Sequence, residues 1–205
     1  MLKGIYAITD EILTPNTSIV SQVEAALKGG AKVIQLRNKS AQDKDLIETA
    51  TQLQALCVKY QATFFVNDRV ELAQQIGADG VHIGYSDLGV KETRELIGPT
   101  ILIGVSCYGD IERAKQAIKD GADYVAFGAF YPSKTKPKAA VVDFNVIAQA
   151  KKELGVPVCV IGGINEDNIK EIAAYQPDMF SLVSDIFEAK NIQEKVQKLT
   201  QKIKL

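Results

Sequence analysis

The chain has no tryptophan, one histidine and no excess of either charge: 24 Lys and Arg residues stand against 25 Asp and Glu, a formal net charge of −1 over 205 residues. A near-neutral chain offers no electrostatic footprint for nucleic acid or an anionic membrane, so an anion site must come from a local concentration of lysine and arginine. No apolar run is long enough to span a bilayer. The start, Met1 to Gly4, is expected to lead directly into a strand rather than to form a signal peptide.

Cysteine is scarce as well, and its spacing excludes the usual metal and nucleophile patterns. Cys57, Cys107 and Cys159 are an odd number and far apart, which predicts free thiols and a reducing, cytoplasmic environment. Cys107 has no companion histidine, so a Cys-His mechanism is not expected. The lone His82 at a strand end is expected to be a packed, hydrogen-bonded core residue.

Short apolar runs alternate with segments of helical periodicity along the whole chain, and no low-complexity linker marks a domain boundary. Continuous apolar runs of this length are typical of parallel strands covered on their faces. The predicted strands are Gly4–Thr9, Val33–Arg37, Thr63–Asn67, Gly80–Ile83, Ile101–Val105, Tyr124–Gly128, Val158–Ile161 and Met179–Val183.

A weak internal repeat supports eight strands. Gly-Ala at positions 30, 77 and 121 is followed each time by a strand, and Gln176-Pro177-Asp178 is a degenerate fourth copy; the spacing is about 45 residues, the length of two βα units. The pattern predicts a (β/α)₈ TIM barrel spanning residues 1–205 as a single domain. An open, doubly wound sheet is the alternative.

Two carboxylates follow neighbouring strands of a predicted βαβ unit. Asp68 comes after the strand at Thr63–Asn67 and Asp87 after the strand at Gly80–Ile83. Parallel neighbours lie roughly 5 Å apart, so both side chains are expected at one rim, where they could share a divalent cation with a phosphorylated ligand. The alternative is that each aspartate caps the helix that follows it.

Other polar residues fall at the same rim. Gln35, Arg37 and Lys39 alternate along the end of the second strand, and such a trio facing a barrel mouth indicates an anionic ligand. A solvated loop is the alternative for Lys39 and Arg37. Ser106, after the fifth strand, either bonds a phosphate or caps the helix near Asp110.

The rest of the rim combines a basic loop with a glycine turn. The loop at 130–138 holds two hydroxyls and three lysines, which suits an anion-binding lid, although a basic surface loop is the alternative. Gly162-Gly163 after strand seven and Ser184 after strand eight would form the phosphate site often found in these barrels.

Assembled in order, these motifs resemble the thiamine-phosphate synthase family. The motifs are YAITD at 6–10, QLRNK at 35–39, NDR at 67–69, GVHIGYSDL at 80–88, GVS at 104–106, PSKTK at 132–136, IGGI at 161–164 and VSDIF at 183–187. The resemblance covers nearly the whole chain. It implies that a pyrimidine diphosphate and a thiazole phosphate are joined, with release of pyrophosphate, through a dissociative displacement supported by Mg²⁺.

The resemblance also implies a role for each rim residue. Mg²⁺ would be held by Asp68 and Asp87. The substrates would be held by Gln35, Arg37, Lys39, Asn67, Ser106, Ser133, Thr135, Lys136, Gly163, Val183 and Ser184. Of these, the residues expected to stabilise the transition state are Arg37, Lys39, Ser106 and Lys136. No partner beyond the two small-molecule substrates is implied, and the sequence leaves open whether the chain forms a homo-oligomer.

Two positions depart from the family pattern. Ser133 replaces a common threonine and keeps the hydroxyl, and Tyr108 stands where many members have histidine. The related thiazole tautomerase relies on a histidine in that region, and its metal-site carboxylates and loop lysine are typically absent, so the synthase is favoured. A phosphosugar isomerase would need an acid/base pair that the sequence does not offer, and a non-catalytic precursor-binding regulator would predict an eroded metal site.

Overall fold

The computed structural model describes residues 2–84, 88–132 and 140–204. Within them lie eight strands: β1 Gly4–Ile8, β2 Val33–Leu36, β3 Thr63–Asn67, β4 Gly80–Ile83, β5 Leu102–Tyr108, β6 Tyr124–Phe127, β7 Val158–Ile161 and β8 Met179–Leu182. The helices of the same residues are α1 Ile19–Lys28, α2 Asp43–Tyr60, α3 Val70–Ile76, α4 Val90–Ile97, α5 Ile111–Lys119, α6 Asn145–Glu153, α7 Ile169–Ala173, α8 Ser184–Phe187 and α9 Ile192–Lys202.

The strands form one closed barrel in chain order, with every neighbouring pair parallel. Closure occurs where β1 pairs with β8, with Gly4 opposite Met179 and Ala7 opposite Leu182. The predicted barrel is therefore confirmed, and the open sheet is excluded because β1 has strand neighbours on both sides.

Three strands, β3, β4 and β7, have the predicted bounds, and β5 differs most. It runs to Tyr108 rather than ending at Val105, because its pairing with β6 continues past an irregularity between Ser106 and Tyr108. A bulge of this kind re-aims side chains at a barrel rim.

The repeat marks a left-handed residue between a helix and an even-numbered strand. Its glycines have φ values of 104° at Gly30, 65° at Gly77 and 109° at Gly121, and the degenerate copy has Gln176 at 55°. Glycine adopts this conformation without a Cβ penalty, which explains its recurrence. The four copies open β2, β4, β6 and β8, as predicted.

The aspartate of the repeat has a second task that the sequence pattern does not reveal. Asp79 accepts a hydrogen bond from the backbone N–H of Phe64 at 2.7 Å, Asp123 from that of Ile103 at 2.7 Å, and Asp178 from that of Val158 at 2.8 Å. Each carboxylate thus satisfies a donor at the start of the preceding odd-numbered strand.

Apolar side chains form two cores, one between the barrel and its helices and one inside the barrel. The interior core includes Tyr6, Phe65, Tyr124, Cys159 and Met179, all at most 1% exposed. Large rings fit there because inward positions of β4 and β5 are glycine. A Cβ at Gly80 would lie 2.2 Å from the Phe65 ring, and one at Gly104 would lie 2.1 Å from the Tyr124 ring.

The last helix completes the outer layer. Val196 and Leu199 of α9 are fully buried. Gly29 at the end of α1 permits the contact, since a Cβ there would lie 2.6 Å from the carbonyl oxygen of Gln193. None of the helices in the described parts of the chain combines the length and the apolar character needed to cross a membrane.

Candidate active site

The carboxyl end of the barrel collects the predicted polar residues of β2 to β5 within a few hydrogen bonds of one another. Gln35 is 2% exposed and donates from Nε2 to the Tyr6 hydroxyl at 2.7 Å. Its embedding in the apolar strand β2 is what the sequence predicts for an inward side chain. Burying an amide is favourable only because it is hydrogen-bonded.

Arg37 and Lys39 follow β2 rather than lying within it, since the strand ends at Leu36. The backbone of Arg37 is tied to the buried Thr9, whose hydroxyl accepts from the Arg37 N–H at 2.9 Å. Lys39 is exposed, its N–H donates to Glu11 Oε2 at 2.7 Å, and its Nζ lies 3.3 Å from Asp68 Oδ2. The loop therefore brings the lysine cation to the carboxylate that follows β3.

Asp68 occupies a left-handed conformation, with φ of 62°, which aspartate tolerates better than most residues. Its N–H donates to the carbonyl of His82 at 2.9 Å, and Asn67 pairs with His82 across β3 and β4. The N-cap of α3 is Arg69, so Asp68 does not hold the capping position of the alternative interpretation. Its carboxylate lies at the mouth with a quarter of its side-chain area exposed.

Arg69 organises the loop that carries Lys39, a role that sequence reasoning missed. Its guanidinium forms an ion pair with Asp43 and donates to the carbonyls of Asn38 at 2.9 Å and Ala41 at 2.6 Å. The planar fork of arginine suits several acceptors at once. Only the tertiary contact between the β2–α2 loop and the start of α3 reveals this function.

His82 and Ser106 face each other at the ends of β4 and β5. His82 Nε2 lies 2.9 Å from Ser106 Oγ, and Nδ1 lies 2.7 Å from the Tyr124 hydroxyl. These contacts are those of a packed, hydrogen-bonded histidine. Ser106 does not cap α5, because Asp110 holds that position and accepts from the Arg113 N–H at 3.0 Å.

The residues after Ser106 do not supply a nucleophile. Cys107 is buried, and burial raises the pKa of its thiol to about 12. Tyr108 is 51% exposed, and its ring centroid lies 5.5 Å from the Arg113 guanidinium. The thiol therefore stays protonated at neutral pH.

The predicted phosphate side is built by close backbone approach between two loops. Gly163 has φ of 67°, and a Cβ there would lie 2.5 Å from the carbonyl oxygen of Pro132. The N–H of Tyr131 donates to the Gly162 carbonyl at 3.0 Å. The glycine pair thus lets the loop after β6 lie directly against the turn after β7.

The short helix α8 begins at Ser184 with Val183 as its N-cap, next to that turn. Asp185 Oδ2 accepts from the Glu166 N–H at 3.1 Å, and Lys195 binds Glu166 at 2.8 Å and Asp185 at 3.3 Å. This ion-pair group joins the β7–α7 loop to α8, so Gly163 and Ser184 are held on one side of the mouth.

The stem of the basic loop is described, although its tip is not. Ala129 accepts at its carbonyl from the Val142 N–H at 2.8 Å, which brings the two ends of the loop together. Phe130, Tyr131, Phe144 and Tyr175 form an aromatic cluster, with neighbouring ring centroids 5.4 to 5.6 Å apart. The predicted site residues Asp87, Ser133, Thr135 and Lys136 lie outside the described residues.

The donor set fits Mg²⁺ in part. Magnesium is usually bound by one or two carboxylates together with substrate phosphates and water, and Asp68 presents one carboxylate beside a lysine that suits a phosphate. Among the residues that the structure describes, no three His, Cys, Asp or Glu side chains form a metal-binding group. A site made of Asp68, Asp87 and a diphosphate needs no third protein carboxylate.

Comparison with known proteins finds relatives along nearly the whole chain. The family model described as thiamine monophosphate synthase matches residues 5–186. The thiamine-phosphate synthase of Thioalkalivibrio sulfidiphilus is 42% identical over 91% of this chain and 88% of its own, and that of Alcanivorax borkumensis is 46% identical over 83% and 79%. A solved structure titled thiamine phosphate pyrophosphorylase, from Pyrococcus furiosus, superimposes with a TM-score of 0.90 at 35% identity, covering 98% of this chain and 95% of its own. The chain therefore belongs to the thiamine monophosphate synthase family.

Proposed function

We propose that this chain is a thiamine-phosphate synthase, which joins 4-amino-2-methyl-5-hydroxymethylpyrimidine diphosphate to the thiazole phosphate and releases pyrophosphate. The observation that carries the proposal is the convergence of an amide, a lysine, a carboxylate and a serine at one barrel mouth. Gln35, Lys39, Asp68 and Ser106 come from three different strand ends, those of β2, β3 and β5, and are linked there through direct contacts and shared partners. Membership of the family supports the same reaction.

In the proposed reaction the bond between the pyrimidine methylene carbon and the diphosphate oxygen breaks, and the thiazole nitrogen forms the new bond to that carbon. Negative charge grows on the departing oxygen. Arg37, Lys39 and Lys136 would stabilise that charge electrostatically, as preorganised cations do at a developing anion. Ser106 would donate a further hydrogen bond. A bound Mg²⁺, held by Asp68 and Asp87, would neutralise the same oxygens.

Two sides of the mouth divide the substrates in this proposal. Gln35 and Asn67, at the ends of β2 and β3, would hold the aminopyrimidine. Gly163, Val183 and Ser184 would hold the thiazole phosphate, with Ser133 helping to seat it. Thr135 would contact the diphosphate or the pyrimidine. In a dissociative displacement, departure of the diphosphate leaves a carbocation at the methylene carbon. Both substrates would be aligned before that carbocation can react with water.

We also propose that the chain acts as a single catalytic domain in the cytoplasm. The three cysteines are free and buried, as expected for a protein kept in a reducing compartment.

The experiment is an assay with both precursors and Mg²⁺, in which the condensed product is measured by chromatography and pyrophosphate by a coupled reaction. We expect equal amounts of product and pyrophosphate, and loss of both when the metal is chelated. Tight binding of the precursors without turnover would instead indicate a regulator. Isomerisation of the thiazole without condensation would indicate the tautomerase.

A further inference from the structure

A line of five hydrogen-bonded side chains crosses the barrel just below the mouth. It runs from Gln35 Nε2 to the Tyr6 hydroxyl at 2.7 Å, from there to the Tyr124 hydroxyl at 3.0 Å, then to His82 Nδ1 at 2.7 Å, and from His82 Nε2 to Ser106 Oγ at 2.9 Å. Its two ends are proposed substrate-binding residues. Its three middle members, Tyr6, Tyr124 and His82, have no assigned role.

The line is built into the interior rather than formed by chance at a surface. Tyr6 is 1% exposed and Tyr124 is fully buried, so neither hydroxyl can exchange its partner for bulk water. The Tyr124 ring stacks on His82 with 5.6 Å between centroids, and it lies over Gly104, where a Cβ would be 2.1 Å away. Glycine on the inner face of β5 therefore makes room for the ring that connects the two halves of the line.

The direction of the hydrogen bonds follows from their donors. An amide nitrogen only donates and each hydroxyl has a single proton. Gln35 Nε2 gives its proton to Tyr6, so Tyr6 gives its own to Tyr124, and Tyr124 gives its own to His82 Nδ1. With Gln35 Nε2 in this place every buried proton of the line has an acceptor, and the opposite direction requires the amide to be turned over. His82 then accepts at Nδ1 and donates from Nε2 to Ser106.

The two ends of the line are thereby given opposite characters. Because Nε2 of Gln35 is used by Tyr6, the amide presents its oxygen, an acceptor, to a ligand. Because Ser106 accepts from His82, its own proton is directed to a ligand. To turn the acceptor at Gln35 into a donor, the amide must rotate and both phenol protons must point the other way. The histidine must also change tautomer, and the serine proton must turn towards it.

We propose that Tyr6, Tyr124 and His82 are positioning residues that fix this polarity, so that the site selects a pyrimidine bearing an amino group over the analogue bearing a carbonyl oxygen in its place. The inference rests on the proposed function, since it names the feature of the substrate that is selected. The amino group donates to Gln35 Oε1, whereas the carbonyl oxygen would meet that oxygen as a second acceptor. A buried polar group left without its partner is the strongest basis for such discrimination.

The first test reads the histidine directly and does not depend on activity. His82 is the only histidine in the sequence, so a tag-free chain labelled with ¹⁵N-histidine gives one pair of ring-nitrogen signals. We expect the signals to place the ring proton on Nε2, with Nδ1 as the acceptor. A ring protonated on Nδ1, or on both nitrogens, overturns the proposed polarity.

The second test measures selectivity in binding. The dissociation constants of the amino and oxo pyrimidine diphosphates are measured by calorimetry without the thiazole phosphate, so that the electronic effect of the amino group on bond cleavage does not enter. In Tyr6→Phe and Tyr124→Phe the line is cut and Gln35 can turn. We expect the dissociation constant of the oxo compound divided by that of the amino compound to fall by about tenfold in each variant. This is the value of one net hydrogen bond.

Two matched variants report the effect of losing a hydroxyl elsewhere. Ser181→Ala removes a hydroxyl inside the barrel that contacts Cys159 Sγ at 3.0 Å, and Tyr60→Phe removes a phenol hydroxyl bonded to Glu24 at 2.8 Å. Both should keep the wild-type ratio. A ratio that stays within about twofold of wild type in both line variants contradicts the proposal. A wild-type chain that makes no product contradicts the proposed function instead, while the histidine signals still test the line.

Discussion

At the scale of single residues, the rim depends on backbone conformations that few side chains tolerate. Asp68 has φ of 62° and Tyr108 has φ of 55°. Aspartate and asparagine accept the left-handed region because their short polar side chains bond locally. Asp68 in the sequence NDR after β3 therefore tolerates the left-handed backbone conformation and also supplies the carboxylate. A substitution that tests the carboxylate must retain this backbone conformation.

Asp68→Asn separates charge from backbone strain. Asparagine keeps the left-handed preference, so we expect the free energy of unfolding to change little. The magnesium concentration needed for half-maximal activity should rise at least about 10- to 100-fold, the effect of losing a group that only supports a metal ligand, because Asp68 is proposed to bind the metal directly. Asp45→Asn, at an exposed position of α2, is the matched control. An unchanged magnesium requirement in Asp68→Asn would remove Asp68 from the metal site.

The cysteines give a second prediction at this scale. Burial raises the pKa of each thiol, at Cys57, Cys107 and Cys159, to about 12. Since the thiolate is the reactive form, a thiol reagent at pH 8 should label none of them in the folded chain and all three in urea. Stoichiometric labelling of any one in the native protein would show that its surroundings open.

At the scale of elements, three of the even-numbered strands, β4, β6 and β8, support the preceding strand through an aspartate. Asp123 does this most completely, because its Oδ2 accepts from the Ile103 N–H at 2.7 Å and from Arg94 at 2.6 Å. The ladder between β5 and β6 is therefore strengthened at its start by a side chain. The first copy of the repeat has Lys32 at this position and lacks that support.

Asp123→Ala should lower the free energy of unfolding by about 1–3 kcal/mol, because it leaves the Ile103 N–H without an acceptor. Asp123→Asn retains an acceptor oxygen and should recover a large part of the loss. Urea denaturation followed by circular dichroism measures both. Equal losses in the two variants would show that the charge, rather than the acceptor, is what matters.

The contact between α1 and α2 carries a pH dependence. Hydrogen bonds from Lys59, Tyr60 and Lys28 lower the pKa of Glu24 from 4.5 to about 2. A carboxylate whose pKa is lowered by folding stabilises the protein above its unfolded value, and this contribution disappears as the pH falls from about 4.5 towards about 2.

Glu24→Gln should therefore have a lower melting temperature than wild type at pH 7, and the gap should close as the pH approaches 2. Thermal unfolding at a series of pH values measures it. Glu95→Gln, at an exposed position of α4, corrects for the loss of one negative charge. A gap that stays constant down to pH 2 would contradict the role of these hydrogen bonds.

At the scale of the whole molecule, closure brings the two ends of the chain together. β1 pairs with β8, and α9 packs against both α1 and β1. Gly29 lies at this contact with its Cβ position 2.6 Å from the Gln193 carbonyl oxygen and 2.7 Å from Val196 Cβ. The φ value of Gly29, −73°, is one that any residue can adopt. The close approach of α9 therefore explains why glycine occupies this position.

Gly29→Ala should cost about 1–3 kcal/mol through overpacking between α1 and α9. Gly155→Ala provides the comparison, because a Cβ there meets nothing within 4 Å, and it should be neutral or slightly stabilising. Denaturant unfolding of both variants measures the difference. Equal stability of the two would show that α9 shifts freely to accept the methyl group.

Much of this protein follows from periodicity and strand-end chemistry. The alternation of apolar runs and helical segments predicts the eight strands, because side-chain burial and backbone hydrogen bonding are local requirements. The same logic places Gln35 inward and Asp68 at the rim. It does not reveal Arg69, Tyr6 or Tyr124 as organising residues, since their partners lie on other strands or loops.

What the sequence determined by itself is therefore the set of elements, their order and the end of the barrel where polar residues gather. Only the tertiary structure decided how the set closes and which buried groups meet. The hydrogen bonds between Tyr6 and Tyr124 and between His82 and Ser106 join residues 118 and 24 positions apart. No local pattern encodes such pairs, because they exist only once the barrel brings the inner faces of its strands within hydrogen-bonding distance.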